Sequence, residues 1–498
     1  MTKNDKSETL IYTGLFCLAL YVCLASCLNP FALINIDIDT SIFLTIAQGI
    51  TRGQVPFRDF FDNKGPLLYL ISAPGFAMGR FTGVWITELI IMCVSVFFAY
   101  KTALFFGSRA FAFIGVVLSF IVFQSFFYEV AGTEEYSLPF MMISFYIFTK
   151  YYFSQENVLS LEIIILGFCF ASTLLIRINI FSLWLGFCVI ICIETVKKRD
   201  YAGLLKYIVL FFIGISIITV PVMLYLKINN AFTDYIQANF IAGGSQGFRD
   251  FSFKTFVSGF FVIIYKNFCF TPLLAGFTWI IKDFAGKKRG YYIGYLVGFI
   301  LTVVFFAVIG TCFDHYNMTL TSFLVPAFTF FLKEIFIYFR DMNKNKVCFT
   351  LFLCILFSGP YVKGLSRIYF SFTSFTHQSR GGHILTGKII DEQTTKGDKI
   401  IFLGFSAHIY LFSQRDTASR FIYQPSAAVN HFEGAQNEFL MDIYRNRPAI
   451  IAVDNRGGPY DYLPEWYAPI YAMIKNEYQM ITDKNGYFLF KRIQKGNT

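Results

Sequence analysis

Charge is scarce in this sequence. Only 15% of its 498 residues are Asp, Glu, Lys or Arg, while 55% are hydrophobic. A soluble domain of that length needs more polar surface to cover itself, so a soluble globular protein is excluded. Mean hydropathy is +0.54, and apolar stretches of about 20 residues, enough for a bilayer core of roughly 30 Å, recur along the chain. A disulfide scaffold is excluded as well. The 11 cysteines lie nearly all inside apolar runs and none follows Cys354; buried Cys acts there as a small hydrophobe. His377, His383, His408 and His431 show no ligand spacing, so no structural metal site is expected. There is no GxGxxG fingerprint and no P-loop, hence no expected nucleotide site, and neither an internal repeat nor a low-complexity segment. The net charge of +10 is no nucleic-acid signal, because the Lys and Arg residues sit in short clusters between apolar runs, where they set topology.

What is there is a polytopic membrane protein. Spans are expected at about 9–30, 84–106, 109–128, 137–153, 158–176, 178–195, 203–226, 256–281, 290–311, 318–339 and 347–364, about eleven in all. The first lacks a cleavage site and reads as an uncleaved span with the N-terminus inside. The inward connections then hold Lys101, Arg109, Lys150, Lys197–Lys198–Arg199, Lys282–Lys287–Lys288–Arg289 and Arg340–Lys344–Lys346, so the clustered basic charge falls on one side. This parity requires residues 66–80, interrupted by Pro74-Gly75, to be an interfacial or re-entrant segment on the outer side. The outer face receives the first loop (about 31–83), a short second loop (128–136), a middle loop (227–255), the "CFDHYN" turn and the tail. Residues 1–364 form a membrane module and 365–498 a small extracytoplasmic α/β domain: strands at 398–404 and 449–454, helices at 431–447 and 463–478, and a hairpin over 478–493 turning at Asn485-Gly486.

Polar groups on the outer face are the candidate site. Thr40 to Gly53 reads as a helix with Ile42, Phe43, Ile46, Ala47 and Ile50 on one face, suited to the interface plane. Asp39 precedes its first turn, as an N-cap or as a carboxylate held at the membrane surface; Asp37 lies two residues earlier. "RDFFDNKGPLLY" sets Arg58, Asp62 and Lys64 among aromatics, a mixture that suits a polar pocket where Lys64 or Arg58 meets a lipid phosphate. Glu134 and Glu135 start a span; either they favour a helix N-terminus, or one converges with Asp39 for acid/base work. Arg177 lies in an outward hairpin and either snorkels or serves the site. Asp314, His315 and Tyr316 lie between two spans, where an Asp-His-Tyr run can position a phosphate or a hydroxyl.

The first-loop run from "DTSIF" at 39–43 to "VPFRDFFDNKGPLLY" at 55–69, with "TEEYSLP" at 133–139 and "HY" at 315–316, resembles the C-type membrane glycosyltransferases. That group includes the protein O-mannosyltransferases and the lipid A aminoarabinose transferase. The resemblance covers about residues 1–340. It implies a mainly α-helical polytopic fold with juxtamembrane helices in the first outer loop. It implies an enzyme on the outer face of a bacterial cytoplasmic membrane, with a sugar on a polyprenyl phosphate as donor and a hydroxyl-bearing acceptor. Asp39 matches the first-loop acid that acts as general base and Glu135 the second-loop acid. Lys64, His315 and Arg177 match polar pocket positions. Relatives often have two adjacent first-loop acids, whereas Asp37 and Asp39 are split by Ile38. No cofactor is implied; Asp39 and Glu135 can together hold a divalent cation, but nothing in their spacing demands one. A transporter or flippase would place ionisable groups mid-span, and a scaffold would tolerate loss of Asp39; the charges here gather at span ends on one side.

Overall fold

A computed structural model describes residues 3–32, 36–127, 131–154, 159–242, 252–282, 286, 288–308, 313–341, 346–373, 378–423, 434–454 and 465–493. Lys287, Lys344, Cys312, His377, His431 and much of the middle loop lie outside the described residues. Helices follow the apolar runs: α1 (Lys3–Cys23), α2 (Ile38–Ile50), α3 (Pro66–Ala103), α4 (Arg109–Phe126), α5 (Thr133–Phe153), α6 (Ser160–Ile176), α7 (Ser182–Lys197) and α8 (Tyr201–Ile228). They continue as α9 (Phe232–Ile236), α10 (Phe253–Tyr265), α11 (Thr271–Lys282), α12 (Arg289–Val308), α13 (Thr321–Asp341) and α14 (Lys346–Thr373). Among the described residues six helical stretches are long and apolar enough to cross a membrane, in α3, α4, α8, α12, α14 and the run Asp314–Arg340. The protein is a multi-pass, mainly α-helical membrane protein.

Two elements depart from the sequence expectation. The run 256–281, expected as one span, is broken by a 3-10 turn at Lys266–Phe268 into α10 and α11. Each piece, at 13 and 12 residues, reaches only about 18–20 Å at 1.5 Å per residue. The segment 66–80, expected to stay outside the spans, is helical and runs into the following span. The break falls at Gly79 and Arg80, with Arg80 at φ 50°, and not at Pro74, which stays inside the helix. A proline removes one backbone donor and kinks a helix, while here the left-handed residue ends it.

The chain divides into two compact units. The first comprises Met1–Asn29, Trp85–Val222 and Asp250–Phe370. Its helices have two polar ends, each recorded by pairs. At one end Arg109 meets Glu8 at 2.9 Å, Lys150 meets Glu162 at 2.8 Å and Lys282 meets Glu334 at 2.7 Å. At the other, the Trp85 indole donates to the Cys23 carbonyl at 2.9 Å and Arg367 donates to the carbonyls of Phe127 and Ser125. Between the ends, α7 and α12 pack backbone to backbone: a Cβ on Gly186 would lie 2.5 Å from the Gly298 nitrogen. Small residues allow that approach where lipid gives no hydrophobic drive to associate.

The second unit comprises Pro30–Val84, Met223–Arg249 and Ser371–Thr498. After α15 (Gln378–Gln393) come β1 (Lys399–Leu403), α16 (His408–Ser413), β2 (Asp416–Thr417), α17 (Ala435–Asn446), β3 (Ile450–Asp454), α18 (Ala468–Glu477), β4 (Tyr478–Thr482) and β5 (Tyr487–Arg492). The sheet order is β2-β1-β3-β5-β4. β1 pairs parallel with β2 and β3; β5 runs antiparallel to β3 and β4. Ile400 to Leu403 and Ile450 to Val453 are all buried, as expected of central parallel strands covered on both faces. Asn485 and Gly486, at φ 62° and 84°, make the hairpin turn, the conformation that favours this residue pair.

Candidate active site

The first-loop helix α2 starts at Ile38, two residues earlier than expected, and ends at Ile50, short of Gly53. Asp37 is the N-cap: its Oδ1 accepts from the Thr40 amide at 2.9 Å and its Oδ2 from the Thr40 hydroxyl at 2.6 Å. Its carboxyl is raised to about 6: burial pushes it up, the two Thr40 bonds offset part of that rise, and the neighbouring Asp39 charge adds to it. Asp39 sits in the first turn, partly exposed. Among the described residues its carboxylate has no hydrogen bond or ion pair. The helix beneath it is fixed on its polar face as well as its apolar one. Ser41 Oγ accepts from the Ala407 amide at 3.0 Å, Thr45 Oγ1 donates to the Ala407 carbonyl at 3.3 Å, and Gln48 donates to the Leu411 carbonyl. His408 Nε2 donates to the Ile36 carbonyl at 2.7 Å, one residue before the cap. Thr40 to Gly49 is buried without a gap, so the face read as solvent-facing is closed by α16.

The rest of the first loop is braced around Asp62. This buried carboxylate accepts from the Tyr69 hydroxyl at 2.5 Å, the Tyr423 hydroxyl at 3.0 Å and the Asn63 amide at 2.8 Å. Tyr423 is held fully protonated by burial first, then by the Asp62 and Asp39 charges, so it can donate but not act as a base at neutral pH. Lys64 donates to Asn63 Oδ1 at 2.7 Å and remains partly exposed. Arg58 turns outward to Asp59, at 2.7 and 3.0 Å, and to the Asn229 carbonyl. Phe57, at φ 71° and 1% exposed, packs on Tyr69 and Tyr235. A bulky residue held in the left-handed region costs of order 1–3 kcal/mol and persists only where its surroundings fix it.

In the first unit, Glu134 and Glu135 have different partners. Glu134 is paired with Arg177 and accepts from the Thr133 hydroxyl at 2.6 Å. The Arg177 guanidinium lies 4.5 Å from the Tyr316 ring centre. His315 meets Tyr316 edge-on at 4.7 Å and stacks on Phe313. Glu135 is fully buried; its Oε2 accepts from the Ala131 amide at 2.9 Å, folding back over the start of α5, and its Oε1 has no partner among the described residues. Asp314 is held between Lys266 and Lys363.

The sequence reading missed Glu88. This fully buried acid near the start of the span after the Gly79 break accepts from the Ser26 hydroxyl at 2.8 Å, and its second oxygen has no hydrogen-bond partner among the described residues. The signal was present: one acid in the apolar run "VWITELIIM", a pattern that marks functional or paired groups in membrane helices. Tyr423, Ala407 and His408 carried no signal, since they reach the first loop from some 360 residues away. Among the described residues, no group of three His, Cys, Asp or Glu could hold a metal ion.

Residues 2–347 match the family model described as "Putative competence-induced protein Ccs4 N-terminal domain". None of the curated proteins matches the chain. Among solved structures, the fold is similar to that of ArnT, an aminoarabinose transferase, from Cupriavidus metallidurans in the apo state, with TM-score 0.61, 11% identity, and 99% of each chain covered. It is equally similar to the same protein bound to undecaprenyl phosphate, with TM-score 0.61, 10% identity, and 98% of each chain covered. The archaeal oligosaccharyltransferase AglB from Archaeoglobus fulgidus, in complex with an inhibitory peptide and a dolichol-phosphate, has TM-score 0.53 and 13% identity; the match covers 98% of this chain and 75% of that one. The chain therefore has the fold of the C-type membrane glycosyltransferases.

Proposed function

The chain belongs to the competence-induced protein Ccs4 N-terminal domain family, and from that premise we propose that it is a membrane glycosyltransferase. It moves a sugar from a polyprenyl phosphate to a hydroxyl acceptor on the outer face of the cytoplasmic membrane. The observation that carries this reading is Asp39: a partly exposed carboxylate without a partner among the described residues, on a helix whose cap and whose two faces are fixed by other residues. Support for the donor class comes from the fold's likeness to a structure that holds undecaprenyl phosphate.

Asp39 takes the proton of the acceptor hydroxyl as its oxygen attacks the anomeric carbon, a contribution of about 10²–10⁴-fold. The bond from that carbon to the phosphate oxygen breaks, and polyprenyl phosphate leaves with the electron pair. The leaving group needs a counter-charge rather than a proton. Lys64 offers one within the second unit, the unit that holds Asp39; Arg177, in the first unit, is paired with Glu134. Asp62, Glu134 and Glu135 hold loops in place through their own hydrogen bonds. Arg58 is turned to Asp59 and binds substrate only if that pair opens. A divalent cation at Asp39 is the alternative within the same reading: transfer that stops on chelation and returns with Mg²⁺ or Mn²⁺ would make Asp39 a ligand and not a base.

The test is release of free polyprenyl phosphate by the purified protein from a panel of polyprenyl-phosphate hexoses, with cell-envelope extract as acceptor. Turnover of one donor supports the reading. No release from any donor returns the transporter and scaffold readings to the front.

A further inference from the structure

We infer that the first loop and the tail build a saccharide-binding groove within the second unit. It encloses about 280 Å³ beside the edge strand β2 and along α17, from Glu438 to Asn446. Its lining contains no aromatic and, apart from Ala418, no apolar side chain; this excludes a lipid tail or an aromatic ligand, which need apolar walls. Three cations (Arg58, Lys399 and Arg420) and four acids (Asp59, Asp416, Glu438 and Asp442) line it; Arg58 is paired with Asp59 and Arg420 with Glu438. Three against four leaves a net −1, so neither a polyanion nor a polycation is favoured.

The groups are held in place by single atoms. Ser419 Oγ donates to Asp442 Oδ2 at 2.9 Å, Asn446 Nδ2 donates to the Ala418 carbonyl at 2.6 Å, and Lys399 Nζ donates to Asn446 Oδ1 at 3.1 Å. Arg52 reaches Asp416 Oδ1 at 3.5 Å. Among the described residues the second oxygens of Asp416 and Asp442 have no partner. Fixed acceptors beside ammonium and amide donors match hydroxyls, each of which both donates and accepts. A vicinal diol can give its protons to the two carboxylates and take bonds from Lys399 and Asn446. No described group of three His, Cys, Asp or Glu is built for a metal ion, which favours a neutral polyol over a cation. For its role, binding the saccharide part of an acceptor, this proposal rests on the transferase reading; the binding itself does not.

Saturation-transfer NMR on the full-length protein in detergent micelles tests it, with maltotriose, cellotriose, chitotriose and mannotriose as probes. At least one should give signals from its hydroxyl-bearing ring protons. Asp442→Asn and Asp416→Asn should each reduce them at least fivefold. Lys399→Ala, at an exposed position, should also reduce them and keeps the test decisive if an acid variant misfolds. No signal from any probe, undiminished signals in the variants, or signals abolished by EDTA overturns the groove, the last by assigning a cation to the acids. Polyprenyl phosphate release is read on the same samples. Variant-sensitive binding without release would refute the transferase and leave the groove standing.

Discussion

Asp37 and Asp39 divide two tasks that their spacing does not separate. Asp37 uses both oxygens on Thr40 and is the cap; among the described residues Asp39 is left with an unengaged carboxylate. The sequence places the cap at Asp39 because the apolar pattern starts at Ile42, and periodicity does not count the turn that precedes it. Loss of the cap in Asp37→Ala should cost about 1 kcal/mol of stability, seen as a lower thermal midpoint in detergent, and an unchanged midpoint would remove Asp37 from that role. Its pH behaviour follows from its raised carboxyl. The unfolded group titrates near 3.8 and the folded one at about 6, so between them the folded state binds more protons. Its contribution to stability is fully present below the lower value and is lost as pH rises through the upper one. Wild-type midpoints should therefore fall relative to Asp37→Asn between pH ~4 and ~7; a relative rise contradicts the assignment. Ser26→Ala leaves the buried Glu88 carboxyl without its hydroxyl partner. That should cost about 1–3 kcal/mol, read by the same melts.

Elements were legible where one period or one turn signal decides them. The runs 398–404 and 449–454 read as strands and 478–493 as a hairpin; the strands form at Lys399–Leu403, Ile450–Asp454, Tyr478–Thr482 and Tyr487–Arg492, and the Asn485-Gly486 turn is where the residue pair puts it. Elements whose form depends on a distant neighbour were not legible. The α10–α11 break falls at Lys266, which ion-pairs with Asp314 from another element, and no local residue announces it. The buried polar face of α2 is covered by α16, some 360 positions on, so its sequence shows an amphipathic helix where the structure has an enclosed one. Gly49 marks how tightly that helix is enclosed. A Cβ there would lie 2.3 Å from the ring of Phe60, itself 3% exposed and unable to swing into solvent. Gly49→Ala should destabilise by about 1–3 kcal/mol and lower transfer with it, because the helix carries Asp39. A wild-type midpoint in Gly49→Ala would show that the loop yields at no cost.

At the scale of the whole molecule, composition gave the class and charge parity gave a topology. Within the first unit Arg109, Lys150 and Lys282 pair near one set of helix ends. The parity argument needs that grouping, but it does not say which side of a membrane those ends face. The outer placement of the tail is testable at its exposed hairpin. Lys484→Cys should react with a membrane-impermeant maleimide in intact cells above the wild-type background; labelling only after permeabilisation would invert the topology. What no sequence pattern could supply was the pairing of the tail with the first loop, through Tyr423 on Asp62 and Ala407 on Ser41. That pairing holds the loop helix that carries Asp39 in a fixed place. The measurement that bears most directly on the account is polyprenyl phosphate release by wild type against Asp39→Asn, with folding checked by thermal melts. A fall of at least a hundredfold, about 2.7 kcal/mol in transition-state stabilisation, with an unshifted midpoint is the expected result. Equal release by the two proteins would contradict the assignment of Asp39 as the base.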